Sequence, residues 1–236
     1  MVSVVFGVSG GIGRALAGVL AARHPGTVLG FSRSEAVSVD GVQMGRCDIT
    51  DEAQIAAAAE TVAAAGHPDL VIVASGILSD GETLQPEKTL RHQSMEAFER
   101  VFRINTFGPA LVAKHILPLM PRKERAVFAA LSARVGSISD NNLGGWHAYR
   151  SSKAALNMLI RNYAIEQRHR SKQFIAVGLH PGTVDTGLSK PFQGNVPDKK
   201  LFTPAFSATR LLDVIDGLTP EQSGKCFDYA GIEVPA

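Results

Sequence analysis

Cysteine is scarce: the 236-residue chain holds two, Cys47 and Cys226, too far apart for a zinc or CxxC redox spacing. They read as buried free thiols, and no metal site is expected. Net charge is also nearly absent, with 24 Lys and Arg against 22 Asp and Glu. The electrostatic drive toward nucleic acid is therefore missing. The short basic runs Arg122-Lys123 and Arg168-His169-Arg170 fall at expected helix ends, where cations complement the helix dipole. No uncharged apolar run reaches the ~18 residues of a membrane span. Residues 1–7 carry no basic leader and break quickly at glycine, unlike a signal peptide. These absences predict a soluble, cytoplasmic protein without nucleic-acid or membrane partners. With no linker, repeat or low-complexity tract, residues 1–236 are expected to form a single domain.

What is present is alternation. Apolar runs at 2–6, 27–31, 69–73, 126–131 and 174–179 read as strands, with a weaker one at 42–45 and a closing one at 225–229. Helical patterns lie between them. Ile12, Leu16, Val19 and Leu20 make one apolar face, followed by helices at 51–65, 94–120 with a break at Pro109, 146–168 and 203–215. Strands apolar throughout suit a parallel sheet covered on both faces. The prediction is an α/β, doubly wound Rossmann sheet of about seven strands with helices on both sides. In such sheets ligands bind beyond the carboxyl ends of the strands, so the residues following each strand carry most of the functional information.

After the first strand comes Gly7-Val8-Ser9-Gly10-Gly11-Ile12-Gly13-Arg14. Glycines here allow backbone to approach a pyrophosphate, and a helix starting near Gly11 offers free N–H groups to phosphate. No Lys-Ser or Lys-Thr follows, which disfavours a Walker-type loop. Ser9 and Ile12 lie in the same candidate nucleotide loop. The second strand ends in Ser32-Arg33, where an acid would meet an adenosine ribose; an arginine suits a 2′-phosphate instead. Arg14 could add a second cation, and NADP is expected over NAD, with Glu35 the residue that argues the other way. Asp48, at the third strand's end, is a candidate adenine contact or a helix cap.

Tyr149 and Lys153 are spaced i, i+4 on one helix face. A free tyrosine titrates near ~10, and a neighbouring cation favours its phenolate, so the pair could exchange a proton with a carbonyl or alcohol. Taken in order, Gly7-x-x-x-Gly11-Ile12-Gly13, Asp48, Gly76, Asn105, Leu131-Ser132, Tyr149-x-x-x-Lys153 and His180-Pro181-Gly182-Thr183-Val184-Asp185-Thr186 resemble the short-chain dehydrogenase/reductase family. The likeness extends to its C-factor-like and sniffer-type carbonyl reductase subgroup.

The resemblance implies hydride transfer between NADP(H) and a carbonyl or alcohol substrate. Tyr149 would be the acid/base and Lys153 its pKa-lowering partner and ribose ligand. Asn105 would hold a relay water, and a serine would bind the substrate oxygen. Pro181, Gly182 and Thr183 would border the nicotinamide, with Thr186 reaching its carboxamide or the pyrophosphate. The family also implies a homodimer or homotetramer, in keeping with apolar residues on more than one face of the helices at 94–120 and 146–168. Two departures stand out. Ala74-Ser75-Gly76 replaces the usual Asn-Ala-Gly, and Ser132-Ala133 replaces Ser-Ser, leaving alanine where the catalytic serine is expected. Ser132, or Ser137 from the loop, is then the candidate substitute. The alternative to an enzyme is an NADP(H)-binding regulatory protein with little turnover, which Ala133 favours. Loops at 76–93, 136–147 and 187–203 are expected to set specificity, with Trp146 and His147 near the pocket and a lid within 187–203.

Overall fold

In the computed structural model, which describes residues 1–23, 25–34, 37–195, 197 and 200–236, the apolar runs assemble into one sheet. The strands are β1 (Val2–Phe6), β2 (Thr27–Ser32), β3 (Gln43–Arg46), β4 (Leu70–Val73), β5 (Ala126–Leu131) and β6 (Phe174–His180). A short parallel pair follows, β7 (Thr183–Val184) with β8 (Leu201–Phe202), and then β9 (Cys226–Asp228) and β10 (Glu233–Val234). The main sheet runs β10-β9-β6-β5-β4-β1-β2-β3. All its pairings are parallel except β10 on β9, so the expected seven-strand sheet gains one antiparallel edge strand. Strand order reverses between β1 and β4, which opens a crevice at their carboxyl ends.

The helices are α1 (Gly11–Arg23), α2 (Glu52–Ala65), α3 (Met95–Phe102), α4 (Gly108–Ile116), α5 (His147–Arg168) and α6 (Pro204–Gly217). Period-two alternation divides the strands between two cores. Val71 and Val73 of β4 with Phe128 and Ala130 of β5 pack against α2, α4 and α5. Leu70 and Ile72 with Val127 and Ala129 face α1 and α6. Burying each of these valine, leucine, isoleucine and phenylalanine side chains contributes about 1.5–3 kcal/mol, and the central strands bury both faces.

The helix expected over 94–120 is interrupted where it matters. Between α3 and α4, residues Arg103–Phe107 form a π-helical turn. Pro109 has no N–H to give the carbonyl of Asn105 four residues back, so the regular ladder cannot continue through this point. Asp51, not Asp48, caps α2, accepting from the backbone N–H groups of Ala53 and Gln54. Among the described residues no helix is long and apolar enough to cross a membrane.

Candidate active site and dinucleotide cleft

Gly7 leaves β1 with φ +92, and a Cβ there would lie 2.7 Å from the Ser75 backbone nitrogen. A Cβ on Gly13 would come within 2.3 Å of the Gly7 carbonyl oxygen, so α1 rests directly on the turn. These two glycines make the close approach possible. The first turn of α1 carries no acidic residue, leaving its positive dipole end to the crevice, with Ser9, Gly10 and Gly11 exposed there. Thr186 reaches the same spot: its methyl carbon is 2.7 Å from where a Gly11 Cβ would sit. The distant 181–186 segment thus closes on the glycine loop. Its Gly182 has φ +78 and packs under Phe202 and Tyr229, while the Pro181 carbonyl accepts from Ser207 Oγ at 2.9 Å.

Arg14, in the first turn of α1, and Arg33, directly after β2, are both exposed. Asp48 is half-buried, with Oδ1 accepting from the Thr50 amide at 2.9 Å and its hydroxyl at 2.8 Å. Glu35 lies outside the described residues. An uncharged helix start, glycines that admit backbone contact and two flanking guanidinium groups fit a phosphate-bearing dinucleotide.

The Tyr149–Lys153 pair sits beyond β4 and β5. Both side chains are buried, and Lys153 Nζ lies 5.8 Å from the Tyr149 ring centroid. Nζ donates to the Leu131 carbonyl at 2.8 Å, and a Gly76 Cβ would lie 3.7 Å from Nζ and 3.4 Å from Asn105 Oδ1. Gly76 therefore leaves open the space into which Lys153 and Asn105 face. Burial pushes the Tyr149 phenol up to about 12 and the Lys153 ammonium down to about 8, opposed for the lysine by Cys226. Tyr149 is consequently a protonated donor at neutral pH.

Asn105 has no exposed surface, and its amide is committed to the backbone of Ile77: Oδ1 accepts at 2.8 Å and Nδ2 donates at 2.9 Å. Two residues that sequence reasoning missed lock α5 to this turn. Ser152 Oγ accepts from Asn105 Nδ2 at 3.2 Å and donates to the Tyr149 carbonyl at 2.7 Å. Thr106 Oγ1 donates to the Ser152 carbonyl at 2.9 Å.

The three candidate positions for the serine differ in their surroundings. The Ser132 hydroxyl is buried and donates to Asn157 Oδ1 at 2.7 Å, on the α5 side of the sheet. Ser137 is buried too, its hydroxyl accepting from the Asp140 amide at 3.1 Å and donating to the Ala236 carbonyl at 3.4 Å. The side chain packed with Tyr149 and Leu78 is Ala133. His180, which opens the 180–186 motif, is held neutral by burial, which pulls its pKa down to about 4 despite Asp228 nearby.

The entry to α5 is strained. Gly144, Gly145 and Trp146 have φ values of 62, 65 and 50, so three successive residues are left-handed and one of them is not glycine. Glu87 holds this turn. Its carbonyl accepts from the Trp146 amide, and its buried carboxylate accepts from the Ala148 amide at 3.2 and 3.3 Å, serving as the cap that Trp146 cannot provide. Trp146 is thereby set edge-on to Tyr149, with ring centroids 6.2 Å apart, and to Phe192 at 5.3 Å.

A parallel sheet with a glycine loop at its switch point, and a buried Tyr–Lys pair at the ends of the next strands, defines a nicotinamide-dependent oxidoreductase. The profile described as "short chain dehydrogenase" matches residues 1–196, and the chain belongs to that family. It is 43% identical over 136 residues to the C-signal of Myxococcus xanthus, covering 58% of this chain and 76% of that one. It is 40% identical over 131 residues to 1-hydroxy-2-glutathionyl-2-methyl-3-butene dehydrogenase of Rhodococcus sp., covering 55% and 54%. The crystal structure of an NADPH-bound carbonyl reductase from chicken fatty liver superposes with TM-score 0.85 at 26% identity, over 100% of this chain and 94% of that one.

Proposed function

We propose that the chain is an NADP(H)-dependent carbonyl reductase, also able to run as an alcohol dehydrogenase, with cofactor and substrate sites on one domain. The observation that carries this reading is the buried Tyr149–Lys153 pair beside Gly76 and Asn105 at the carboxyl edge of the sheet. The loop of Gly7, Ser9, Gly11, Ile12 and Gly13 would hold the pyrophosphate. Arg14 and Arg33 would meet the 2′-phosphate, and Asp48 the adenine. Gly76, Pro181, Gly182 and Thr183 would border the nicotinamide, with Thr186, beside Gly11, reaching the carboxamide or the pyrophosphate, and Lys153 would hold the ribose. When bound, the nicotinamide supplies or accepts the hydride. Tyr149 gives its phenolic proton to the carbonyl oxygen, and Lys153 stabilises the phenolate this leaves. Asn105, fixed by Ile77 and Ser152, keeps the proton path next to Lys153 in place.

Cofactor choice tests the reading directly. NADPH is expected to bind about tenfold more tightly than NADH, and Arg33→Ala should erase most of the difference. Titration of both nucleotides by protein fluorescence measures it. Equal affinities, or tighter NADH, would remove the 2′-phosphate assignment and return Glu35 to consideration as a ribose ligand.

The pH dependence follows from Lys153. Its pKa is depressed from 10.5 to about 8 because burial disfavours the ammonium, so the charged form dominates below that pH and is lost above it. The ammonium is what stabilises the phenolate formed as Tyr149 releases its proton. Carbonyl reduction should therefore hold steady on the acidic side and fall as pH rises through about 8. Steady-state kcat/KM at saturating NADPH checks this, and a rate rising through that window would contradict the assignment.

A second reading, an NADP(H)-binding regulatory protein, is favoured by Ala133 in the position that faces Tyr149. Under either reading the exposed Phe107, Met158 and Ile165 on the π-turn and α5 offer a surface for a second copy, and a homodimer or homotetramer belongs to the proposal.

A further inference from the structure

Next to Trp146, whose ring centroid stands 6.2 Å from that of Tyr149, lies an open cavity of about 730 Å³, its lining including Lys88, His92, Trp146, Pro191 and Phe192. Its apolar wall is the Trp146 ring, flanked by Phe192 and Pro191. The tryptophan is held in that pose by the left-handed turn and by Glu87. The opposite rim belongs to the segment 85–92. Lys88 supplies a permanent cation and His92 a second basic group, both exposed at the mouth. The described lining residues include no carboxylate. The one acid in that segment, Glu87, is 3% exposed and turned away, committed to the start of α5. An apolar wall whose tryptophan stands edge-on to Tyr149, facing a rim that carries Lys88 and, among the described residues, no carboxylate, has a definite complement.

We infer that the preferred substrates are carbonyl compounds with a flat apolar body and an anionic group, the body against Trp146 and the anion at Lys88 and His92. The inference rests on the reductase reading for the word substrate, but its ligand chemistry stands on the cavity alone. The anion sits at a solvent-exposed mouth, where a charge pair is screened, so the expected gain is about three- to tenfold in affinity. The gain should shrink as salt is raised.

The chain has a single tryptophan, Trp146, so intrinsic fluorescence reports on this wall without any need for turnover. The probes are 4-carboxybenzaldehyde, its neutral methyl ester and 4-(trimethylammonio)benzaldehyde, titrated with saturating NADP⁺ and then assayed with NADPH. The carboxylate should quench Trp146 at the lowest concentration and the cation at the highest. Lys88→Glu should invert that order. Lys172→Glu makes the same charge change on the exposed turn before β6, at the amino end of that strand and away from the carboxyl-end cleft, and should leave the order intact. Equal affinities for the three probes, no quenching by any, or equal effects of the two charge reversals would overturn the inference. If the ester is reduced with the same kcat/KM as the carboxylate, the inference fails while the reductase reading survives. If no probe is reduced but the carboxylate preference and its loss in Lys88→Glu persist, the reductase reading fails while the anionic ligand class stands.

Discussion

Replacing Tyr149 by phenylalanine is expected to lower kcat for carbonyl reduction by about 10²–10⁴-fold, the contribution of a positioned general acid, while NADPH binds as before. The substitution removes one oxygen and nothing else from the packing. The ring lies among Leu78, Ala133, Trp146 and Phe192, where a phenyl group fits the same space. No hydrogen bond from the hydroxyl is needed to hold α5, which is secured through Ser152, Thr106 and the Glu87 cap. The fold and the glycine loop should therefore survive, and the loss should fall on turnover alone. Lys153→Ala is expected to behave differently, weakening both turnover and cofactor binding, because under the proposal the same ammonium stabilises the phenolate Tyr149 leaves and holds the ribose. Single-turnover rates with a fluorescence titration of NADPH separate the two. Wild-type turnover in Tyr149→Phe would end the acid/base assignment. Unaltered NADPH affinity in Lys153→Ala would end its ribose role.

How legible the molecule was depends on the range of each interaction. The central strands announced themselves because β4 and β5 are apolar throughout and covered on both faces, so no polar alternation blurs the signal. The glycine loop and the Tyr–Lys spacing are local patterns and could be read directly. The π-helical turn at Arg103–Phe107 was half legible: Pro109 marks a break, but its missing N–H acts on the Asn105 carbonyl, one turn earlier. The strands β7, β8 and β10 have two residues each, too short to carry a period, whereas β9 lies within the closing run at 225–229. The Glu87–Ala148 cap joins residues 61 apart, and nothing near either one points to the other. The orientation of Ser132 was available and overlooked. Ala126, Phe128 and Ala130 face the α5 side, so the next residue in that register, Ser132, continues toward α5 and meets Asn157.

That register makes the serine position a place to add function as well as to remove it. Ala133→Ser is expected to raise carbonyl reduction by about 100- to 1000-fold, the usual contribution of one preorganised donor to a developing oxyanion. The reasoning is spatial. Ala133 packs with Tyr149, so a hydroxyl there would share the substrate oxygen with the Tyr149 phenol. The added atom is small, and the backbone at Ala133 is extended, with φ −151 and ψ 148, a conformation serine adopts without strain. Ser132→Ala should by contrast leave the chemistry nearly unchanged and cost stability, since it strips Asn157 Oδ1 of a buried donor. One competing fate exists for the new hydroxyl. Ala133 is the residue before the helical turn Arg134–Gly136, which has no side-chain cap, and a serine there could turn inward to supply one. Melting temperature distinguishes the two: capping would raise stability without changing rate, whereas a donor to substrate would raise kcat with little change in melting. Should Ala133→Ser alter neither rate nor stability while Ser132→Ala lowers kcat by about 100-fold or more, Ser132 is the substrate's partner after all, reached by rotation away from Asn157. Should Ala133→Ser convert a protein with no measurable turnover into a working reductase, the natural alanine marks a chain that keeps the cofactor cleft and the Tyr–Lys pair for binding, and the regulatory reading takes precedence.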